Sequence, residues 1–220
     1  MTLRPSDNRA AFTIVEMVIS VTILAITVTS VFSLIIFTIN LNSQNLLKVQ
    51  ALEIGREALE AVRNVRDTSW KNNQKFISFL DSGATPPFNV LPPQFTIEPN
   101  LEDSTQDPWL VKYLSAVTDP PAPSSYGAIR LNYIGDNVGT PPKFAARGLA
   151  HSTTFLPAYR PSPFYRFVEA EPMDSASEPP VPQRDGRSQA YKVTVYVYYE
   201  FSGKLRKTEL TEILTDWRKI

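Results

Sequence analysis

The sequence contains no cysteine and only one histidine, His151, among its 220 residues. The absence of cysteine excludes a disulfide framework, a thiolate metal site and a cysteine nucleophile. The 22 basic side chains balance the 22 acidic ones, so no net charge directs the chain to nucleic acid. No phosphate-binding glycine loop, dinucleotide fingerprint or zinc-ligand spacing is present. We therefore expect no cofactor, no metal, no catalytic residue and no enzymatic activity, and His151 is predicted to be a surface or partly buried loop residue.

Proline and glycine are scarce in the first third of the chain. Of the 19 prolines, all but Pro5 lie at or after Pro86, and Gly55 is the only glycine before Asp81. Both residue types interrupt helices, so the first third is able to form one long helix. The remainder is predicted to consist of short elements joined by proline-rich loops.

An apolar run occupies residues 12–39 and follows a short polar segment that contains Arg4 and Arg9. As a helix the run would reach about 40 Å, enough to cross a bilayer core of about 30 Å. It is longer than the apolar region of a secretory signal peptide, and no convincing Ala-x-Ala cleavage site follows it. The two arginines favour a cytoplasmic N-terminus under the positive-inside rule.

Glu16 is the only ionisable side chain between Phe12 and Leu47. A carboxylate at the centre of a membrane segment costs about 2–3 kcal/mol, and somewhat less near an end, so its presence indicates a functional site. A plain single-pass anchor explains the length of the run but does not explain this charge.

The segment Ala11-Phe12-Thr13-Ile14-Val15-Glu16, followed at once by the apolar run, resembles the processing site of type IV prepilins and pseudopilins. In that family a membrane peptidase cuts just before the phenylalanine and methylates the new amine. The resemblance implies cleavage between Ala11 and Phe12, N-methylation of Phe12, and a role for Glu16 in subunit assembly. The family usually has glycine before the cut, where this chain has Ala11.

The resemblance also implies partners and a location. The partners are a prepilin peptidase, other pilin subunits through the N-terminal helix, an inner-membrane assembly platform, and membrane lipid before assembly. The head, which is the part of the chain over residues 70–220, would be extracytoplasmic. It would lie at the cell surface or in the periplasm once in a filament. The resemblance does not distinguish a type IV pilus, a competence pseudopilus and a type II secretion pseudopilus. Three features favour a minor subunit: irregular insertions in the head, the absence of a cysteine pair, and Ala11.

Beyond the apolar run the helical pattern becomes amphipathic. One face carries residues spaced by alternating steps of four and three: Leu47, Ala51, Ile54, Ala58, Ala61 and Val65. Oppositely charged pairs at helical spacing, from Glu53 to Asp67, predict a solvated outer face. We expect one helix over about residues 12–67, on the order of 80 Å long.

The expected fold is α+β, with the long N-terminal helix packed on a C-terminal antiparallel β-sheet. Short strands are predicted at residues 94–98, 128–133, 153–156, 164–170, 190–201 and 205–214, with a turn at Ser202-Gly203-Lys204 and another at Asp136-Asn137. The domain organisation is then a leader (1–11), a transmembrane or filament-core helix (12–40), its amphipathic continuation (41–69), a proline-rich part of the head (70–163) and an antiparallel meander (164–220).

Two functions remain open from the sequence. The first is a structural subunit, a minor pilin or pseudopilin, of a type IV pilus-like filament. The alternative is a single-pass membrane-anchored extracytoplasmic domain, binding or enzymatic, that is unrelated to filaments.

Overall fold

The computed structural model describes residues 13–72, 93–99, 109–138, 143–151, 158–173, 183–184, 187–188 and 190–215. The chain divides into two compact units, Met1–Leu46 and Leu47–Ile220. Helix α1, Ile14–Lys71, contributes its first part to one unit and its second part to the other. This helix is four residues longer at its C-terminal end than the sequence predicted, and the predicted α+β class is confirmed.

The second unit contains a sheet of seven strands. Strands β1 and β2 are followed by a 3₁₀ turn and the four-residue helix α2, and strands β3, β4, β5, β8 and β9 complete the sheet. A separate two-stranded ribbon consists of β6 and β7. The bounds are β1 Gln94–Pro99, β2 Trp109–Tyr113, the turn Pro123–Ser125, α2 Tyr126–Ile129, β3 Arg130–Val138, β4 Lys143–Ala150, β5 Ala158–Met173, β6 Gln183–Arg184, β7 Arg187–Ser188, β8 Ala190–Phe201 and β9 Lys204–Thr215.

Strand β5 is the centre of the sheet and all of its pairings are antiparallel. Its first half pairs with β3, which in turn pairs with β4. Its second half pairs with β8, from Phe164 opposite Tyr199 to Met173 opposite Ala190. Strand β1 also pairs with β5, through Val168 and Glu169, and carries β2 on its other side. The 16 residues of β5 therefore pair with three strands, β1, β3 and β8, and each of these carries one further strand.

The hairpin of β8 and β9 has the turn that the sequence predicted. Ser202 and Gly203 both have positive φ, 51° and 69°. Positive φ at both central residues is characteristic of the two-residue turn whose twist matches that of the flanking strands. The pairing then runs without interruption from Phe201 opposite Lys204 to Ala190 opposite Thr215.

Helix α1 packs on one face of the sheet through the predicted apolar stripe. Ala51, Ile54, Ala58 and Ala61 are buried, and the partly buried side chains of Leu47 and Val65 lie at the edge of the same cluster. The sheet supplies alternate residues of its strands, as the period of two requires. These are Phe95, Ile97, Leu131, Phe164, Val168, Ala170, Val193, Val195, Val197, Tyr199 and Leu214.

Gly55 allows α1 to approach β9 closely. A Cβ atom at this position would overlap Leu210 Cδ1. The side chain of Leu210 therefore occupies the space that any other residue would fill. This contact fixes the helix on the sheet at one point along its length.

The opposite face of the sheet carries a second core, which the sequence did not predict. Leu114, Val117 and Ile129, from the segment that follows β2, cover Phe167 and Tyr198. Phe167 stacks on the neighbouring rings of Tyr196, at 4.9 Å between ring centroids, and Tyr198, at 6.2 Å. Tyr196 and Tyr198 of β8 therefore contribute to this second core.

Between residues 70 and 163, two secondary-structure predictions differ from the structure and a third lies outside the described residues. Residues 128–129 belong to α2 rather than to a strand, which begins only at Arg130. Asp136 and Asn137, predicted to form a turn, lie in β3, since that strand continues through its hairpin with β4 to Val138. The strand predicted at residues 153–156 lies outside the described residues.

Candidate functional site

Thr13 caps the N-terminus of α1. Its Oγ1 accepts a hydrogen bond from the backbone N–H of Glu16, at 3.3 Å, and its carbonyl accepts one from Met17 N, at 3.2 Å. A threonine at this position satisfies one of the N–H groups that have no partner within the helix. The pattern Thr-x-x-Glu is the sequence signal of such a cap, and it was missed when Glu16 was considered only as a charge.

Glu16 lies in this first turn and is exposed. The partial positive charge at a helix N-terminus favours a carboxylate there. Ala11 and Phe12, the two residues of the expected cleavage site, lie outside the described residues. Of the three predicted site residues, Glu16 is therefore the one whose surroundings the structure describes.

Helix α1 presents an unbroken apolar surface after this turn. Every large apolar side chain between Ile14 and Ile39 is at least 43 % exposed. The segment is long and apolar enough to cross a membrane, and none of its most apolar window is buried within the protein. Large apolar patches of this kind mark a membrane or protein interaction surface, because exposure to water would be unfavourable.

The hydroxyl groups in this surface are satisfied by the helix itself. Eight serine and threonine side chains donate to the carbonyl four residues earlier, at 2.8–3.0 Å. In hydrocarbon an unsatisfied polar group costs several kcal/mol, so these bonds make the segment compatible with lipid. They are made by Ser20, Thr22, Thr27, Thr29, Ser30, Ser33, Thr38 and Ser43.

Arg166 is an arginine buried in the core between α1 and the sheet, where it is 1 % exposed. Its guanidinium donates to the carbonyl of Ile54 on α1, at 3.2 Å, and to that of Ile97 on β1, at 2.6 Å. The Glu57 carboxylate lies 3.7 Å away. Burial lowers the pKa of Arg166, while the nearby carboxylates of Glu57 and Glu98 oppose that shift. Arg166 thus connects helix and sheet by polar contacts inside an apolar layer.

His151 lies directly after β4 and joins this buried polar region. Its Nδ1 is 3.2 Å from the carbonyl oxygen of Arg130, and its backbone N–H donates to Glu98, at 2.8 Å. Burial, with a further contribution from Arg166, lowers the pKa of His151 to about 3. The predicted partly buried environment is in line with this, but the polar partners were not foreseen. Among the described residues, no group of three or more histidine or acidic side chains could hold a metal ion.

Asp119 joins the segment that covers the second core to strands β8 and β9. Its carboxylate accepts from the hydroxyl of Tyr198 and from Lys207 Nζ, both at 2.6 Å. These hydrogen bonds, that of Lys207 first, lower the pKa of Asp119. Burial and the contact with Asp119 raise the pKa of Tyr198, so its hydroxyl remains a donor. The contacts around Asp119, like those around Arg166, are made between elements of the second unit.

Residues 6–32 match the family model described as the prokaryotic N-terminal methylation motif. No curated protein and no solved structure matches the chain. The matched residues include Ala11, Phe12, Glu16 and most of the apolar surface, and the match is consistent with a type IV pilin-like protein. Proteins with this motif are typically structural subunits rather than enzymes. The motif implies processing by a prepilin peptidase and assembly with other pilins. Among the described residues one helix, near the N-terminus, is long and apolar enough to cross a membrane, which is in line with a membrane anchor.

Proposed function

We propose that this protein is a structural subunit, a minor pilin or pseudopilin, of a type IV pilus-like filament. The exposed apolar surface of α1, with one carboxylate, Glu16, in the first turn of the helix, is the main support for this function. A membrane anchor needs the surface but not the charge. Filament packing explains both the apolar surface and the charge. In a filament, helices of neighbouring subunits replace the lipid around the apolar side chains.

In this proposal a prepilin peptidase cuts between Ala11 and Phe12 and methylates the amine of Phe12. The new α-amine has an ordinary pKa of about 7.7–8.0 and is largely protonated at neutral pH. It lies four residues, or roughly 6 Å of helix rise, from Glu16. Charges in a low-dielectric filament core attract strongly, and an unpaired carboxylate there is costly. The amine of one subunit and Glu16 of its neighbour therefore set the register of assembly.

The proposal also assigns the location. Before assembly the N-terminus is cytoplasmic, the first part of α1, to about residue 40, is in the plasma membrane with lipid around it, and the head is extracytoplasmic. The other partners are pilin subunits and an inner-membrane assembly platform. After assembly the subunit lies in a filament in the periplasm or at the cell surface.

The test of this role substitutes Glu16 in the full chain, expressed with its assembly system. We expect Glu16→Ala to be processed normally and to lose at least about tenfold in the amount recovered in sheared filaments, since the amine of a neighbour then lacks its partner. Glu16→Gln should be similarly defective because the amide keeps the shape but not the charge.

Ser20→Ala is the matched control. Ser20 lies one turn further along α1, and its hydroxyl donates to the carbonyl of Glu16 within the same helix. Its truncation removes a hydrogen bond within one helix and no charge, so assembly should be unchanged. Normal filament recovery for Glu16→Ala would exclude the proposed role of Glu16.

A further inference from the structure

We propose that His151 is an acid-sensitive latch, which holds the base of the β3–β4 hairpin against β1 and releases it when the imidazole becomes charged. This inference concerns the head alone and does not depend on the role of Glu16 in assembly. It rests on the hydrogen bonds that converge on one residue, on the buried second nitrogen of its ring, and on the charges around it.

Two strands, β1 and β3, are bonded to His151 at the end of β4, through three of its groups. Its backbone N–H donates to the carboxylate of Glu98 on β1, at 2.8 Å. Its Nδ1 contacts the carbonyl of Arg130 on β3, at 3.2 Å, while its own carbonyl accepts from the Asn132 amide, at 3.4 Å. The guanidinium of Arg130 is directed to the carbonyl of Ser162 on β5. The end of β4 is therefore joined to β1 and β3 through His151.

The contact with Arg130 defines which ring nitrogen carries the proton. A carbonyl oxygen only accepts hydrogen bonds, so Nδ1 of His151 must be the donor. In the neutral ring, Nε2 is then an acceptor. Nε2 is buried and has no hydrogen-bond partner among the described residues. Protonation would create a second N–H group at a position where none of these residues provides an acceptor, which is costly.

The surrounding charges make the cationic ring less favourable still. Arg166 on β5 and Lys112 on β2 both act against a positive charge on His151. Two carboxylates lie in the same region. Glu98 already accepts from the backbone of His151, and Glu57 on α1 lies 3.7 Å from Arg166. In the closed head the ring consequently stays neutral, with its pKa lowered to about 3.

An opened hairpin would expose the ring to water and return its pKa to about 6.5. The open form then binds a proton that the closed form rejects, so lowering the pH favours opening. With these two values the opening equilibrium rises about 30-fold between pH 7.5 and pH 5. Most carboxylates with ordinary pKa values remain ionised through much of this interval, which leaves His151, the one histidine of the chain, as the group that titrates.

Hydrogen exchange on the full chain in detergent micelles tests the latch. Exchange of the backbone amides in residues 143–151 is measured at pH 7.5, 6 and 5 and corrected for the intrinsic pH dependence of exchange. We expect about 30-fold more opening at pH 5 than at pH 7.5. The β8–β9 hairpin is the internal control and should not change, because none of its residues contacts His151 through a hydrogen bond described above.

His151→Asn is the matched variant, since an amide N–H can replace Nδ1–H as donor to Arg130 but does not titrate. Its opening should be independent of pH between 7.5 and 5. Nitrogen-15 NMR of the one imidazole in the unaltered chain adds a second measurement, and should show a neutral Nδ1–H ring at pH 5. A cationic ring in the folded head, a pH effect retained in His151→Asn, or equal acceleration of the β8–β9 hairpin would overturn the proposal.

Discussion

Helix α1 has two parts that differ in the surroundings of their side chains: those of the first part are exposed, and one face of the second part is buried. Residues 14–46 direct large apolar side chains outward and satisfy their hydroxyl groups within the helix. Residues 47–71 direct small side chains inward, and Ala51, Ala58 and Ala61 are completely buried under the sheet. The first part needs an environment supplied by lipid or by other subunits, whereas the second has its environment within the chain. The second part therefore serves folding, and the comparison supports the proposal that the first part serves assembly.

Charge is distributed between the two parts in the same way. The first part has a single charged side chain, Glu16, with no ion pair among the described residues. In the second part, Arg63 pairs with Glu60 and also, at 2.7 Å, with Glu212 of β9. From the sequence, Arg63 is expected on a solvated outer face and paired with both Glu60 and Asp67; the pair with Glu60 is present, whereas Asp67 contacts Arg66. The charged residues of the second part thus include an ion pair that joins the helix to the sheet.

Replacement of Arg166 should give the largest effect on the head. Arg166→Met keeps most of the volume but removes both hydrogen bonds to backbone carbonyls and the cation beside the buried Glu98 carboxylate. We expect the free energy of unfolding to fall by about 3 kcal/mol. Denaturant unfolding of the full chain in micelles, followed by tryptophan fluorescence, measures this.

Arg206→Met provides the control for that substitution. Arg206 lies on β9 and is exposed, so the same change there should alter the free energy of unfolding by less than about 0.5 kcal/mol. Processing at Ala11–Phe12 should be unchanged in both variants. A defect in processing caused by Arg166→Met would contradict the separation of the two parts.

Removal of the Tyr198 hydroxyl should give a smaller effect, confined to the second core. Tyr198→Phe removes the donor to Asp119 and leaves the ring, so we expect a loss of about 1 kcal/mol. Tyr159→Phe is the control, because Tyr159 is 52 % exposed. Thermal unfolding of the two variants measures the difference. Equal stability would show that Asp119 is held by Lys207 alone.

Substitution of Gly55 should give the smallest effect because two contributions oppose each other. Gly55→Ala favours the helix by about 0.5–1 kcal/mol, but its Cβ requires the end of the Leu210 side chain to move. We expect a net change within about 1 kcal/mol. Gly127→Ala on α2 has open space around the new methyl group and isolates the backbone contribution. A loss of several kcal/mol for Gly55→Ala would mean that β9 cannot adjust.

The sequence predicts well those features whose determinants lie close together along the chain. Helix α1 follows from apolar spacing and the lack of proline, and the β8–β9 hairpin follows from alternation around a Ser-Gly turn. The proposed role of Glu16 also rests on a local signal, a single charge in an apolar run. Its cap, Thr13, was detectable at a spacing of three residues but was not considered.

Features that depend on distant residues were not predicted. Arg166 contacts carbonyls 112 and 69 positions away, and nothing in its strand distinguishes it from an exposed arginine. The second core requires that residues 114–129 cross the outer face of the sheet, which no periodicity of that segment indicates. Asp119 meets Lys207 across 88 positions. Such contacts result from the pairing of the strands around β5 rather than from local preference.

Mass spectrometry of the N-terminus tests whether the chain is processed as a prepilin. The full chain is expressed with and without a prepilin peptidase, and the intact mass of the membrane-extracted protein is compared. We predict that the peptidase removes residues 1–11 and that one methyl group is added at Phe12. An unchanged N-terminus, or a cut at another position, would contradict it and would favour a membrane anchor unrelated to filaments.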